Sequence, residues 1–207
     1  MKKILSQFQK IKLKAEKEAE RETTKRLKNN PIPTEEEIYI GAYREMIEPQ
    51  VRDAIFTMNR KGYSTESSGF YYESANRQDI DGNFIIDKQT REKLKKIGVR
   101  ILDRFDLKLP GLPVSYTRLE FKPKIANTAL IKKQWDEIAD ILPDKKIPMS
   151  PSISGGSMFF RQMLSPERLD IEKIVIEKML KYENMEPLFY KPAMEYRLKV
   201  LTKLLKK

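Results

Sequence analysis

Apolar residues recur along the chain at intervals that change from helical to extended and back. Residues 1–30 repeat apolar positions every three or four residues, which predicts an amphipathic helix with one apolar side, formed by Ile4, Phe8, Ile11, Ala15 and Ala19. Pro31 and Pro33 then end the helix and predict a stiff linker. We therefore expect residues 1–33 to be a helical arm that is uncoupled from the next segment.

Residues 34–143 alternate between helical and extended spacing. Thr34 is a predicted N-cap for a helix that runs to about Glu48, Pro49 begins a further helix, and Gly62 follows its end. The other predicted elements are strands at 63–72, 84–86, 99–105 and 114–121, a turn at 79–83, and helices at 87–97 and 128–142. This order predicts an α+β fold, a two-layer domain in which helices pack a sheet of about four strands.

The spacing changes again after residue 143. Residues 144–164 are rich in proline, glycine and serine, which predicts a long loop. Residues 165–207 return to helical spacing around Pro187 and Pro192 and are predicted to form a C-terminal helical segment. The α+β domain is thus expected to carry N-terminal and C-terminal helical extensions.

Charge narrows the class of partner. The chain has 41 Lys and Arg against 30 Asp and Glu, a formal net charge of +11, and residues 1–34 alone hold ten basic and four acidic side chains. Such a balance favours a polyanionic partner, although solvated surface lysines produce the same composition. No apolar run approaches the length of a membrane span, so a soluble cytoplasmic protein without a membrane span is expected.

The 207 residues include no histidine and no cysteine. Most zinc sites, cysteine nucleophiles and imidazole general bases are excluded by that composition. The remaining carboxylates, lysines, tyrosines and hydroxyls show no spacing typical of a catalytic set, so the catalytic residues are unknown. We expect no metal site and no cofactor.

Two groups of residues are candidates for binding. A nucleic-acid group combines basic residues of the arm with basic residues near the helix at 87–97, and consists of Lys10, Lys12, Lys14, Lys17, Arg21, Lys25, Arg26, Lys93, Lys96 and Arg100. A possible ligand strand offers hydroxyls and an aromatic face for stacking, at Ser67, Ser68, Gly69 and Tyr71. Structural roles account for the same residue types: ordinary strand packing explains the residues of the possible ligand strand, and basic residues also keep an exposed edge strand soluble.

Two further groups of charged residues favour structural interpretations. Asp79, Asp81 and Asn83 have the spacing that begins a calcium loop, but position twelve of that loop is Thr90, so a turn is the stronger prediction. Arg118 and Glu120 alternate with apolar residues, which predicts a solvated face of a strand.

The stretch NRKGYSTESSG at residues 59–69 resembles the opening of the small domain of tRNA wybutosine-synthesising methyltransferases. The resemblance covers eleven of the 207 residues and has Ser67 and Ser68 where a cysteine is expected. It therefore implies no activity and no site residue for this chain.

A binding or assembly module is the function that these observations favour. The first hypothesis is association with nucleic acid, with RNA favoured over DNA, through the N-terminal helix and the Lys/Arg-bearing surface. The alternative is a protein-interaction or oligomeric scaffold in which the terminal amphipathic helices bury their apolar faces against a protein partner or a second copy. A metal-free enzyme that acts on a phosphorylated substrate is the third hypothesis.

Overall fold

The computed structural model describes residues 5–30, 42–108 and 116–145, residues 34 and 37, and ten single positions between 173 and 205. The chain forms two compact units, one from residues 1–21 and 47–149 and the other from residues 22–46 and 150–207. The described elements, in chain order, are α1 (Gln7–Asn29), a 3-10 helix (Arg44–Met46), α2 (Pro49–Arg60), β1 (Ser64–Phe70), β2 (Gln78–Asn83), α3 (Lys88–Lys96), β3 (Arg100–Asp103), β4 (Tyr116–Phe121) and α4 (Thr128–Ile141).

The first unit contains a four-stranded antiparallel sheet with the strand order β1-β2-β4-β3. In its register Ile80 lies opposite Leu119, and both side chains are fully buried. Because side chains alternate across a strand, the neighbouring Asp79 and Asp81 lie on the other face of β2. The predicted α+β fold with about four strands and packed helices is confirmed.

Apolar residues of the helices and the sheet form the core of this unit. Trp135 of α4 is fully buried, as its helical spacing predicts, and its ring meets the ring of Phe121 edge to face at a centroid distance of 4.9 Å. Val51 and Met58 of α2 are fully buried in the same cluster. Helical spacing of the apolar residues in 128–142 predicts a buried side that includes Leu130 as well as Trp135, but half of the surface of Leu130 remains exposed.

Several helix ends lie where the sequence predicts them. The side chain of Asp87 caps α3 by accepting a hydrogen bond from the backbone N–H of Thr90 at 2.8 Å. Pro49 occupies the first turn of α2, and Gly62 follows α2 with a φ of +89°. These signals are correct because each depends on residues within one helical turn.

The predicted turn at residues 79–83 is wrong, because the structure has strand β2 there. The strand predicted at 84–86 is also wrong, since β2 ends at Asn83 and residues 84–87 form no regular element. Aspartate and glycine favour turns when only local chemistry is considered. Pairing of β2 on both sides, with β1 and with β4, provides the backbone partners that the local pattern does not reveal.

The helix predicted from Thr34 to about Glu48 is correct at its start and wrong at its end. Thr34 and Glu37 exchange capping bonds, at 3.2 Å to the Thr34 hydroxyl and 2.7 Å to the Glu37 carboxylate. The backbone N–H of Ala42 donates to the Glu37 carbonyl at 3.2 Å, and residues 42–48 contain no α-helix. A short 3-10 helix follows at Arg44–Met46.

The first half of α1 packs on the sheet unit, which differs from the uncoupled arm expected from the sequence. Ala15 belongs to the buried core with 3% of its surface exposed, and Ile11 packs against that core. Alanine allows this close approach because its side chain is small. The linker prolines Pro31 and Pro33 lie outside the described residues.

The C-terminal expectations concern residues that are mostly outside the described part. Within residues 144–164 only positions 144 and 145 are described, so the long loop stays a prediction. In the segment 165–207, the described positions 173, 174, 177, 195, 198, 199 and 202 are helical. Among the described residues, no helix is both long enough and apolar enough to cross a membrane.

Candidate nucleic-acid interface

Exposed cations form a row along the first half of α1. Lys10, Lys14, Lys17 and Arg21 follow one another at intervals of four, three and four residues, and all four are exposed. Such spacing places them on one side of a helix with 3.6 residues per turn, away from the side that buries Ala15. We call these four residues the basic stripe. At 1.5 Å per residue it is about 16 Å long.

The side chains of the basic stripe differ from that of Lys12 in their contacts. Within the described part of the chain, no ion pair holds any of its four side chains, whereas the neighbouring Lys12 lies 3.7 Å from Glu16. Lys12 is also partly buried, with its ammonium 5.5 Å from the ring centre of Tyr72. The structure thus separates the stripe from Lys12, which the sequence groups with it.

Lys25 and Arg26 belong to the second unit. Lys25 is exposed, but the Arg26 guanidinium contacts the carboxylates of Glu37 and Glu45, the latter at 2.9 Å. It also lies over the Tyr43 ring, 4.8 Å from the ring centre. Arg26 therefore holds its own unit together, and its donors are engaged within the chain.

The remaining predicted basic residues differ in the same way. Lys93 and Lys96 are exposed on α3, where they can reach an external anion. The Arg100 guanidinium lies 2.7 Å from the Glu120 carboxylate, so it already has a buried acidic partner. Lys93 and Lys96 remain candidates for phosphate contact, while Arg100 has a structural role.

The face of the sheet that bears Asp79 and Asp81 carries a buried ionic network. Arg118 donates from Nε to Oδ1 of Asp81 at 2.7 Å and from Nη2 to Oδ2 at 2.8 Å, a bidentate pair. Ser67 donates to the same carboxylate at 3.1 Å. The hydrogen bonds to Asp81 raise the pKa of Arg118, so this guanidinium stays charged.

Glu120 is a second buried carboxylate of this network, and it is paired with two arginines. Only 1% of its surface is exposed, and Arg100 and Arg77 lie 2.7 Å and 3.5 Å from its carboxylate. The solvated face predicted for this strand is therefore wrong at Glu120. Residue type favours a solvated position, but two arginines from other parts of the chain stabilise the buried charge.

Asp79 is the least well paired carboxylate of the network. It is 8% exposed, and its nearest cation is the Arg118 Nε at 3.6 Å. Burial raises the pKa of Asp79 to about 6, against the opposing effect of Arg118. Within the described residues, no group of three or more acidic side chains is placed to hold a metal ion. The network thus balances charge inside the fold.

The possible ligand strand is occupied by contacts within the chain. Tyr71 has Arg77 and Arg118 at 4.3 Å and 5.4 Å from its ring centre, so arginines already lie against its ring. Gly69 has a φ of +120°, and a Cβ there would clash with the carboxylate of Glu48. Glycine at this position permits a close internal approach.

Ser67 and Ser68 lie on opposite faces of β1, because Ser67 pairs with Asp81 and Ser68 with Ile80. The four residues Ser67, Ser68, Gly69 and Tyr71 therefore do not present one common surface. The one sequence signal for the ionic network is the spacing of its charged residues, since Asp79 and Asp81 flank Ile80 and Arg118 and Glu120 flank Leu119.

Comparison with known protein families, with curated proteins and with solved structures finds no match to this chain.

Proposed function

We propose that this protein binds nucleic acid, with RNA favoured over DNA, through the basic stripe of α1. The observation that carries the proposal is the row of exposed cations at Lys10, Lys14, Lys17 and Arg21, none of which is held by an ion pair among the described residues. The formal net charge of +11 adds a general attraction for polyanions. Lys93 and Lys96 on α3 supply further exposed cations.

The chemistry of the stripe favours phosphate contact over base recognition. Lysine ammonium groups act as point charges, which suit phosphate oxygens but distinguish poorly between bases. If all four stripe residues neutralise phosphates, the logarithm of the affinity for single-stranded RNA should fall by about 3 per tenfold rise in salt. We therefore expect binding that depends steeply on salt and weakly on sequence.

The test compares two double variants that change charge equally. Lys14→Glu with Lys17→Glu reverses the centre of the stripe, and Lys122→Glu with Lys124→Glu reverses two exposed lysines elsewhere in the same unit. Binding of a fluorescein-labelled oligouridine is measured by anisotropy at several salt concentrations. The stripe variant should lose most of the affinity and about 1.4 units of the salt slope, since two of the four contacts are removed.

The control variant should retain a salt slope close to that of the unchanged protein. Equal losses in both variants would mean that only net charge matters and would contradict the stripe as the interface. Absence of RNA binding by the unchanged protein at low salt would refute the proposal as a whole.

A further inference from the structure

A pocket of about 320 Å³ opens on the first unit at the start of α4. Its wall comes from three places in the chain: the turn after α3, the segment that follows β4, and the first two turns of α4. The lining residues are Ile97, Gly98, Lys122, Pro123, Lys124, Ile125, Leu130, Ile131 and Gln134. Apolar side chains therefore meet a basic rim in a concave site, the shape in which binding anchors are commonly buried.

Two large apolar side chains of the pocket are exposed to solvent. Ile125 is 62% exposed and Leu130 is 50% exposed, although helical spacing places Leu130 among the residues expected in the core. Burial of either side chain by a partner would remove apolar surface from water, at about 25 cal/mol for each Å². The pocket can thus contribute favourable energy to association.

The charge at the rim of the pocket indicates the sign of the charge on the partner. Lys122 and Lys124 are both exposed, and the described residues that line the pocket include no carboxylate. The first turn of α4 also contains no acidic residue, and its cap is the neutral side chain of Asn127, so no carboxylate offsets the partial positive charge of the helix start there. A partner that contacts this rim should carry negative charge.

We propose that this pocket binds an acidic peptide segment of another protein that inserts one apolar side chain between Ile125 and Leu130. The carboxylates of the peptide pair with Lys122 and Lys124 while the inserted side chain fills the aliphatic floor. Nucleic-acid bases stack on aromatic rings and on arginine, and neither group is among the pocket-lining residues that the structure describes. The observations therefore favour a peptide over RNA at this site, independently of the RNA proposal for α1.

The test uses a fluorescein-labelled peptide of ten residues in which acidic side chains flank one leucine. Anisotropy is measured with the unchanged protein, with Leu130→Ser, and with Lys122→Glu combined with Lys124→Glu. We expect each variant to weaken binding at least about tenfold, since a buried leucine and two charge contacts are each worth that factor or more. The stripe variant Lys14→Glu with Lys17→Glu has the same charge change and should bind the peptide nearly normally.

Two altered peptides separate the apolar contribution from the ionic one. A peptide with serine in place of leucine should bind at least about tenfold more weakly, and so should one with glutamines in place of the acidic residues. All three substituted residues are exposed, so we expect the variants to remain folded. Thermal melts check this expectation. Equal binding of the leucine and serine peptides, or unchanged binding by Leu130→Ser, would overturn the proposal. The pocket would be assigned to RNA instead if the unchanged protein bound no peptide and Leu130→Ser lost the binding of oligouridine.

Discussion

The carboxylate of Glu48 offers a sharp test of how the first unit is packed. It lies against Gly69 of β1, accepts a hydrogen bond from Nε2 of Gln50 at 2.9 Å, and is also hydrogen bonded by the backbone N–H of Phe70. Lys12 and Glu16 of α1 contribute opposing charges nearby. Glu48→Gln removes the charge but retains an oxygen that can accept both hydrogen bonds.

Burial raises the pKa of Glu48 from its ordinary value of 4.5 to about 7, and Glu16 adds to the rise. At about 1.4 kcal/mol for each tenfold change, the difference corresponds to about 3 kcal/mol of unfolding free energy. Because the folded pKa is the higher one, this contribution is fully present below pH 4.5 and is lost as pH rises through 7. Glu48→Gln should therefore stabilise the protein above pH 7.

The assay is urea unfolding of the unchanged protein and of Glu48→Gln at about pH 5 and pH 8. The gain in unfolding free energy from the substitution should be about 2 to 3 kcal/mol larger at the higher pH. Burial also raises the pKa of Asp79, to about 6, but that effect is common to both proteins and cancels in the comparison. Glu137→Gln, at an exposed position of α4, serves as the matched control.

An equal effect of Glu48→Gln at both pH values would show that the Glu48 carboxylate is well solvated in the folded protein. The same conclusion would follow if Glu137→Gln reproduced the pH dependence. Either result would refute the packing of Glu48 against β1 and the reasoning built on it.

Two other substitutions test the packing of α1 and the ionic network. Ala15→Asp should cost about 3 kcal/mol or more by burying a charge, whereas Lys14→Asp one position away should change unfolding free energy by less than about 0.5 kcal/mol. Similar melts for both would mean that α1 does not pack on the sheet. Arg118→Leu should cost about 3 to 5 kcal/mol, and the added change Asp81→Leu should restore much of that loss. Additive losses would contradict a coupled buried pair.

Local residue patterns were sufficient for the fold class and for most helix positions. The Asp87 cap, Pro49 at a helix start and Gly62 after a helix end each act within a few residues, so their effects can be inferred before any tertiary contact is known. The burial of Trp135 was likewise predictable from helical spacing.

Candidate binding residues were predictable only in part. Helical spacing and charge identified Lys10, Lys14, Lys17 and Arg21, which are exposed on one side of α1. The same reasoning included Arg26 and Arg100, because residue type does not reveal a partner that is distant in sequence. Glu37 and Glu120 provide those partners and engage the two guanidinium groups within the fold.

Long-range pairing decided the rest of the site. Strand β2 carries two aspartates that locally favour a turn, yet it is a central strand that pairs with β1 and β4, and Arg118 of β4 neutralises its Asp81. The roles of Glu48 and Gly69 also depend on contact between segments about twenty residues apart. A buried charge is stable only when its partners are present, and those partners come together only when the chain folds.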